Sequence, residues 1–242
     1  YAQSLYRDFN LPSAEVTSTV AAARRAALQI RNGADAVKLF TGSIMGGPES
    51  TVHMDADTVR AITDTAHRLG KRVFAHPTDE IGLQRAIQNG VDVLAHTMPL
   101  AGAWSPQFVR GLVKRRVALV PTLGLFASAN NPATPVETAL QQTRSFAEAG
   151  GQILFGTDAG FTEMFDTSDD MRLMHEAIGW KRLLASLTTI PARLFGQEKR
   201  LGRVAAGMEA DFVLLGSDPA HDAAAMSDVR MTVNGGRVLF SA

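Results

Sequence analysis

The chain has 242 residues, of which 45% are hydrophobic and 20% charged, enough to bury a real core and to count as one α/β domain. Lys plus Arg and Asp plus Glu balance at 24 each, so no global charge excess points to nucleic acid or an anionic membrane, and no apolar run is long enough to span a bilayer. The absence of cysteine excludes disulfides and thiolate metal sites, leaves only N and O donors for any metal, and does not separate cytoplasm from periplasm.

The N-terminal stretch YAQSLYRDFN has neither the basic nor the apolar region of a secretory leader. A helix is predicted around Ala14 to Arg31, then a strand at Ala34 to Phe40. A second helix, Asp55 to Leu69, precedes a strand at Arg72 to His76, and a third, Glu80 to Asn89, precedes Val91 to His96. The alternation continues with a helix at Pro106 to Arg115, a strand at Val117 to Thr122, a helix at Pro135 to Ala149 and a strand at Gln152 to Thr157. Glycines at Asn32-Gly33, Leu69-Gly70, Asn89-Gly90 and Gly150-Gly151 stop the helices before each next strand. Five strands alternating with helices predict a parallel sheet covered by helices.

The Pro, Ser and Asn content between Ala127 and Pro135 reads as a long loop after a strand. A helical stretch follows at Met171 to Phe195, and the texture changes at Gly196. Phe212 to Leu215 is a short apolar run, and VRMTVNGGRVLF reads as two strands about an Asn234-Gly235-Gly236 turn. The expected organisation is therefore a βα domain over 1–195 and a small β segment over 196–242.

Four apolar runs end in a side chain able to serve at a metal: VKLF at Lys38, FAHP at His76, LAHT at His96 and FGTD at Asp158. As parallel strands they would set these four residues at matching depths near the strand C-terminal ends, where α/β barrels build their active sites. Strand alternation pairs Ala36 with Lys38, Phe74 with His76, Leu94 with His96 and Gly156 with Asp158, so all four would face one interior. Each has an ordinary explanation taken singly: Lys38 as an edge lysine reaching for water, each histidine as a hydrogen-bonded polar residue, Asp158 as a cap in GTDAG. Their joint placement carries the inference. The remaining histidines contrast with them. His53, His67 and His221 read as solvated surface residues, and His175 as a residue of an amphipathic helix.

GADAVKLFTGS, AHRLGKRVFAHPTDEIGLQRAIQNGVDVLAHT, LVPTL, GGQILFGTDAG, LTTIPARLFG, GRVAAGMEADFVLL and VNGGRVLF, in this order, resemble the amidohydrolase superfamily of metal-dependent hydrolases, in its imidazolonepropionase-like and prolidase-like branch. The resemblance implies a (β/α)8 barrel of TIM type, here strands four to eight, with a small β-sandwich to which the C-terminal segment contributes. It implies one or two divalent metal ions, zinc first with manganese, iron or cobalt as alternatives, and a carbamylated Lys38 as bridging ligand. Lys38, His76 and His96 would hold one metal, and Lys38 with Asp158 would contribute to the other. A metal-activated hydroxide would attack an amide-like C–N bond of a small molecule, with Asp158 taking a proton and returning it to the leaving amine. Thr41, Ser43 and the loop after Thr122 would line the pocket.

The family's His-x-His pair at the end of its first strand occurs nowhere in these residues, and the first recognisable strand matches the family's fourth. The expectation is a portion of a longer chain, with the N-terminal half of the barrel or a homo-oligomer partner completing it. The alternative is a non-catalytic fragment or assembly module. The lysine argues against a mononuclear deaminase.

Overall fold

The structure is a computed structural model that describes residues 18–42, 53–77, 79–127, 135–160 and 165–242. The predicted start of the first helix, Ser43 and the stretch just after Ala127 lie outside the described residues. Two compact units, Tyr1–Ala101 and Gly102–Ala242, are taken in turn.

In the first unit, three helices alternate with three strands: Thr19–Arg31, then β1 (Ala36–Phe40), Ala56–Arg68, β2 (Arg72–His76), Glu80–Gln88 and β3 (Val93–Ala95). The helices start where the sequence supplies an acceptor for their free amides. Ser18, Asp55 and Asp79 each accept a hydrogen bond from the backbone N–H three residues on. The strands run parallel, with Lys38 opposite Phe74, Phe40 opposite His76, and Phe74 opposite Val93. Residues in register share a face. Val37, Leu39, Val73, Ala75 and Leu94 therefore form one buried apolar face. The other carries Lys38, Phe40, Phe74 and His76.

A carboxylate clips the start of β2. Asp92 accepts from the Val73 N–H and from the Arg72 guanidinium, each at 2.8 Å, and lies 2.8 Å from His67 Nε2. His67 is thus tied into the fold and is not simply a solvated surface residue.

In the second unit, Ser105 caps the helix Pro106–Lys114, whose first-turn proline needs no hydrogen-bond partner. β4 (Ala118–Val120) follows, then a short helix Leu123–Ala127 that the periodicity did not announce, and the helix Val136–Glu148. The predicted strand Gln152 to Thr157 is only a single parallel bridge. Leu119 donates to the Gln152 carbonyl and accepts from Leu154, and the chain then leaves the ladder. The predicted helix Met171 to Phe195 is two helices, Ser168–Leu187 and Thr189–Leu194, the first broken at Gly179 (φ 75°, ψ 161°).

β5 (Phe212–Leu215), β6 (Val229–Asn234) and β7 (Arg237–Ser241) form an antiparallel sheet. Gly235 and Gly236 make its β6–β7 turn with φ of 55° and 76°, the double left-handed conformation that a two-residue hairpin requires. Ala225 and Met226, in a 3-10 turn over Ala223–Met226, are buried, and that turn packs on the helix Ser168–Leu187. Among the described residues, no helix is long and apolar enough to cross a membrane.

Asp92→Ala leaves the Val73 N–H without its acceptor and releases two side chains, so we expect a loss of about 1–3 kcal/mol in unfolding free energy by denaturant titration. His221→Ala, at a site 85% exposed, serves as the control with no change. An unchanged midpoint for Asp92→Ala would show that the clip does not support β2.

Candidate metal centre

Three of the four predicted site residues belong to the first unit. Its strand ends are drawn together by one carbonyl: His76 O accepts from Thr41 N (3.2 Å), Gly42 N (3.0 Å) and Thr41 Oγ1 (3.3 Å). Thr41, fully buried, therefore spends its hydroxyl on joining β1 to β2.

The register corrects the expectation of equal depth. Lys38 lies opposite Phe74 and His76 opposite Phe40, so Lys38 stands two residues lower, about 6–7 Å along the strand. Lys38 is exposed, not enclosed, and its Nζ lies 5.7 Å from the centre of the Phe40 ring. The same ring is 5.1 Å from that of His76. Lys38, Phe40 and His76 thus form a continuous line on one face.

His96 reaches this face by a route that alternation does not supply. Because Leu94 pairs with Ala75 on the apolar side, regular alternation would turn His96 toward that side as well. The strand instead ends at Ala95, and His96 takes a left-handed backbone, φ 87°. Its ring then lies edge-on to His76, with centroids 4.6 Å apart. The face predicted for His96 is right, but the predicted pairing with Leu94 is not the reason.

His96 is 2% exposed, and its pKa is pushed down to about 2. Burial is the main cause, followed by the neighbouring His76 and then the charge of Lys38. A neutral imidazole is the form that ligates metals. Within the described residues, no three His, Cys, Asp or Glu side chains are grouped to hold a metal ion. Two buried imidazoles side by side, that of His96 held neutral, with a lysine close enough for its charge to act on it, would fit a divalent metal if that lysine carried a carboxylate-like donor. As an ammonium, Lys38 would repel the ion.

Asp158 belongs to the second unit, where it closes the segment that leaves β4 after Ile153. It too has a left-handed backbone, φ 60°, and so does the buried Thr122 just past β4, φ 50°. Strained non-glycine conformations at strand ends mark positions that the surrounding fold holds in place. Sequence reasoning gave Thr122 no such role, because φ leaves no trace in residue type.

His53 is not a free surface residue: its Nε2 lies 2.8 Å from Asp79 Oδ1, the oxygen that also caps the helix Glu80–Gln88. His221 is exposed as predicted, and His175 is half-buried on its helix. Asp170, buried on the first turn of Ser168–Leu187, was not singled out in the sequence; its DD pair reads as an ordinary acidic first turn.

The model of the amidohydrolase family matches residues 9–239. An imidazolonepropionase from Phocaeicola vulgatus is 30% identical over 105 residues, 40% of this chain and 25% of that protein. A solved prolidase complexed with N-methylphosphonate-L-proline superposes with a TM-score of 0.79 at 23% identity, covering 94% of this chain and 60% of the other. The ochratoxinase of A. niger superposes with a TM-score of 0.78 at 20% identity, covering 94% and 55%. The chain therefore spans a quarter of the curated relative and somewhat over half of these solved structures. The solved structures establish the fold: part of an α/β amidohydrolase barrel with its parallel sheet, followed by a C-terminal antiparallel sheet.

His96 remains neutral in the fold but takes a proton when unfolded, near its ordinary 6.5. Its folded pKa is depressed, so its contribution to stability is present above 6.5 and lost as pH falls toward 2, by at most about 1.4 kcal/mol per unit. Metal-free protein should show no protonation of His96 by NMR down to pH 5, and His96→Gln should flatten the acid limb of stability. A His96 titration near 6 would disprove the buried neutral imidazole.

Proposed function

Because the chain belongs to the amidohydrolase family, we propose that it carries metal-binding and proton-transfer residues of a hydrolase that cleaves C–N bonds in amides, cyclic amides or dipeptide-like small molecules, as part of a longer protein. The observation that carries this reading is the pair of buried, adjacent imidazoles of His76 and His96, that of His96 held neutral, on the face that also carries Lys38. The names of similar proteins, an imidazolonepropionase and a prolidase, support an amide-like substrate class.

In this reading His76 and His96 would hold one ion through ring nitrogens. Lys38, as the uncharged amine, adds carbon dioxide, loses a proton and becomes an anionic carbamate. Its exposure leaves the amine open to that reaction, and the carbamate would add an oxygen donor beside the imidazoles. Zinc suits this imidazole and oxygen set, as do manganese, iron and cobalt. When bound, the metal supplies Lewis acidity that activates water and polarises a carbonyl.

Asp158 would accept the proton of the attacking water. The same carboxyl then returns the proton to the leaving nitrogen, so one group serves as base and acid in sequence. The strands' apolar face, with Val37, Leu39, Val73 and Ala75, anchors the ligand-bearing residues from the other side.

Elemental analysis of the full-length protein, purified without chelators, should find divalent metal that Lys38→Ala and His76→Ala reduce. Asp158→Ala should retain most metal and lower kcat on amide and dipeptide substrates by roughly 100- to 10,000-fold. Full metal and full turnover in Lys38→Ala would remove that residue from the site. Absence of metal from the wild type would favour the non-catalytic alternative.

A further inference from the structure

The helix Ser168–Leu187 carries a buried carboxylate for which the proposed reaction has no use. Asp170, on its first turn, is 5% exposed and accepts a hydrogen bond from the Gly124 N–H at 2.8 Å. Burial pushes its carboxyl above the ordinary range, against the pull of the Gly124 N–H and together with the neighbouring charge of Asp169. A buried carboxyl costs stability, and a neutral isostere at this place would cost less.

The partner is chosen for close approach. A Cβ on Gly124 would stand 2.3 Å from Asp170 Oδ2 and 2.9 Å from Oδ1, so any side chain there expels the carboxylate. Gly124 lies two residues beyond the strained Thr122, in the first turn of the short helix Leu123–Ala127 that follows β4. Asp170 therefore ties the start of that short helix to the N-terminal turn of Ser168–Leu187.

The same helix also holds the segment that leads to Asp158. The Phe155 N–H donates to the carbonyl of Ser186, near the helix C-terminus, at 3.2 Å. One residue on, Gly156 lies against β4, where a Cβ would stand 2.5 Å from Val120 Cγ1. Beyond the single Leu119–Ile153 bridge, these contacts locate the segment that bears Asp158. A shift of the β4 end relative to the helix would move the surface on which Gly156 rests.

We propose that Asp170 is a positioning residue: by holding the Gly124 N–H it keeps the Thr122–Gly124 turn and β4 registered against the helix, and so sets where Asp158 stands. The role in turnover rests on the reading of Asp158 as the proton-transfer group, whereas the latch itself is testable without turnover.

In the full-length protein, hydrogen exchange by mass spectrometry over 119–125 and 153–160 would be measured for Asp170→Ala, Asp170→Asn and Gly124→Ala, alongside kcat and KM on an amide. Asp170→Ala should raise exchange in both peptides at least about tenfold and lower kcat at least about tenfold, with KM changed less than about threefold. Gly124→Ala should behave the same, because it displaces the carboxylate from the other side. Asp170→Asn retains an acceptor and should stay within about twofold of wild type. If Asp170→Ala fails to fold, the other two variants carry the test. Unchanged exchange on loss of the carboxylate would overturn the latch, and unchanged kcat with raised exchange would overturn the positioning role. A wild type inactive on every amide, with exchange raised in the variants, would sink the hydrolase reading and leave the latch standing.

Discussion

Three donors from the end of β1 converge on the carbonyl of His76, and the geometry of the candidate centre follows from that convergence. It prevents β1 and β2 from separating at the ends where their functional side chains stand. With the strands held there, the parallel register places Phe40 beside His76 and Lys38 one pleat lower. The apolar faces of the same strands pack beneath their helices, so the chemical side of the sheet is held rigidly from behind.

The electrostatics follow from this packing. An imidazole as buried as that of His96, next to a second imidazole and within the field of a lysine, cannot carry charge cheaply, and it remains a lone-pair donor across the physiological range. Lys38 occupies the open side of the same face. As an ammonium, Lys38 lowers the basicity of His96 from that side, adding to the effect of burial. The second unit uses a different device: the buried carboxyl of Asp170 accepts from the Gly124 N–H and so joins the start of the short helix Leu123–Ala127 to the start of the helix Ser168–Leu187.

Much of this was legible in the residues. Caps at Ser18, Asp55, Asp79 and Ser105 sit where the helices begin, and β2 runs over the predicted span because an apolar run bounded by Gly70 and Pro77 admits little else. The hairpin about Gly235 and Gly236 was equally plain. What misled was the assumption that a strand continues with its apolar run. Phe155 and Gly156 are as apolar as a strand residue need be, yet the ladder stops at Ile153, because pairing depends on what lies alongside. His53 and His67 looked solvated for a related reason, since Asp79 and Asp92 lie 26 and 25 residues away in the chain.

The sequence alone determined the alternation of helix and strand and the points where most helices begin, because periodicity, caps and turn chemistry are local properties of a chain. Tertiary structure alone decided the relative depth of Lys38 and His76, the turn of His96 onto their face, and the burial of Asp170 against Gly124. Those depend on strand register, on left-handed backbone held by surrounding contacts, and on desolvation, and each arises only when segments distant in sequence are packed together.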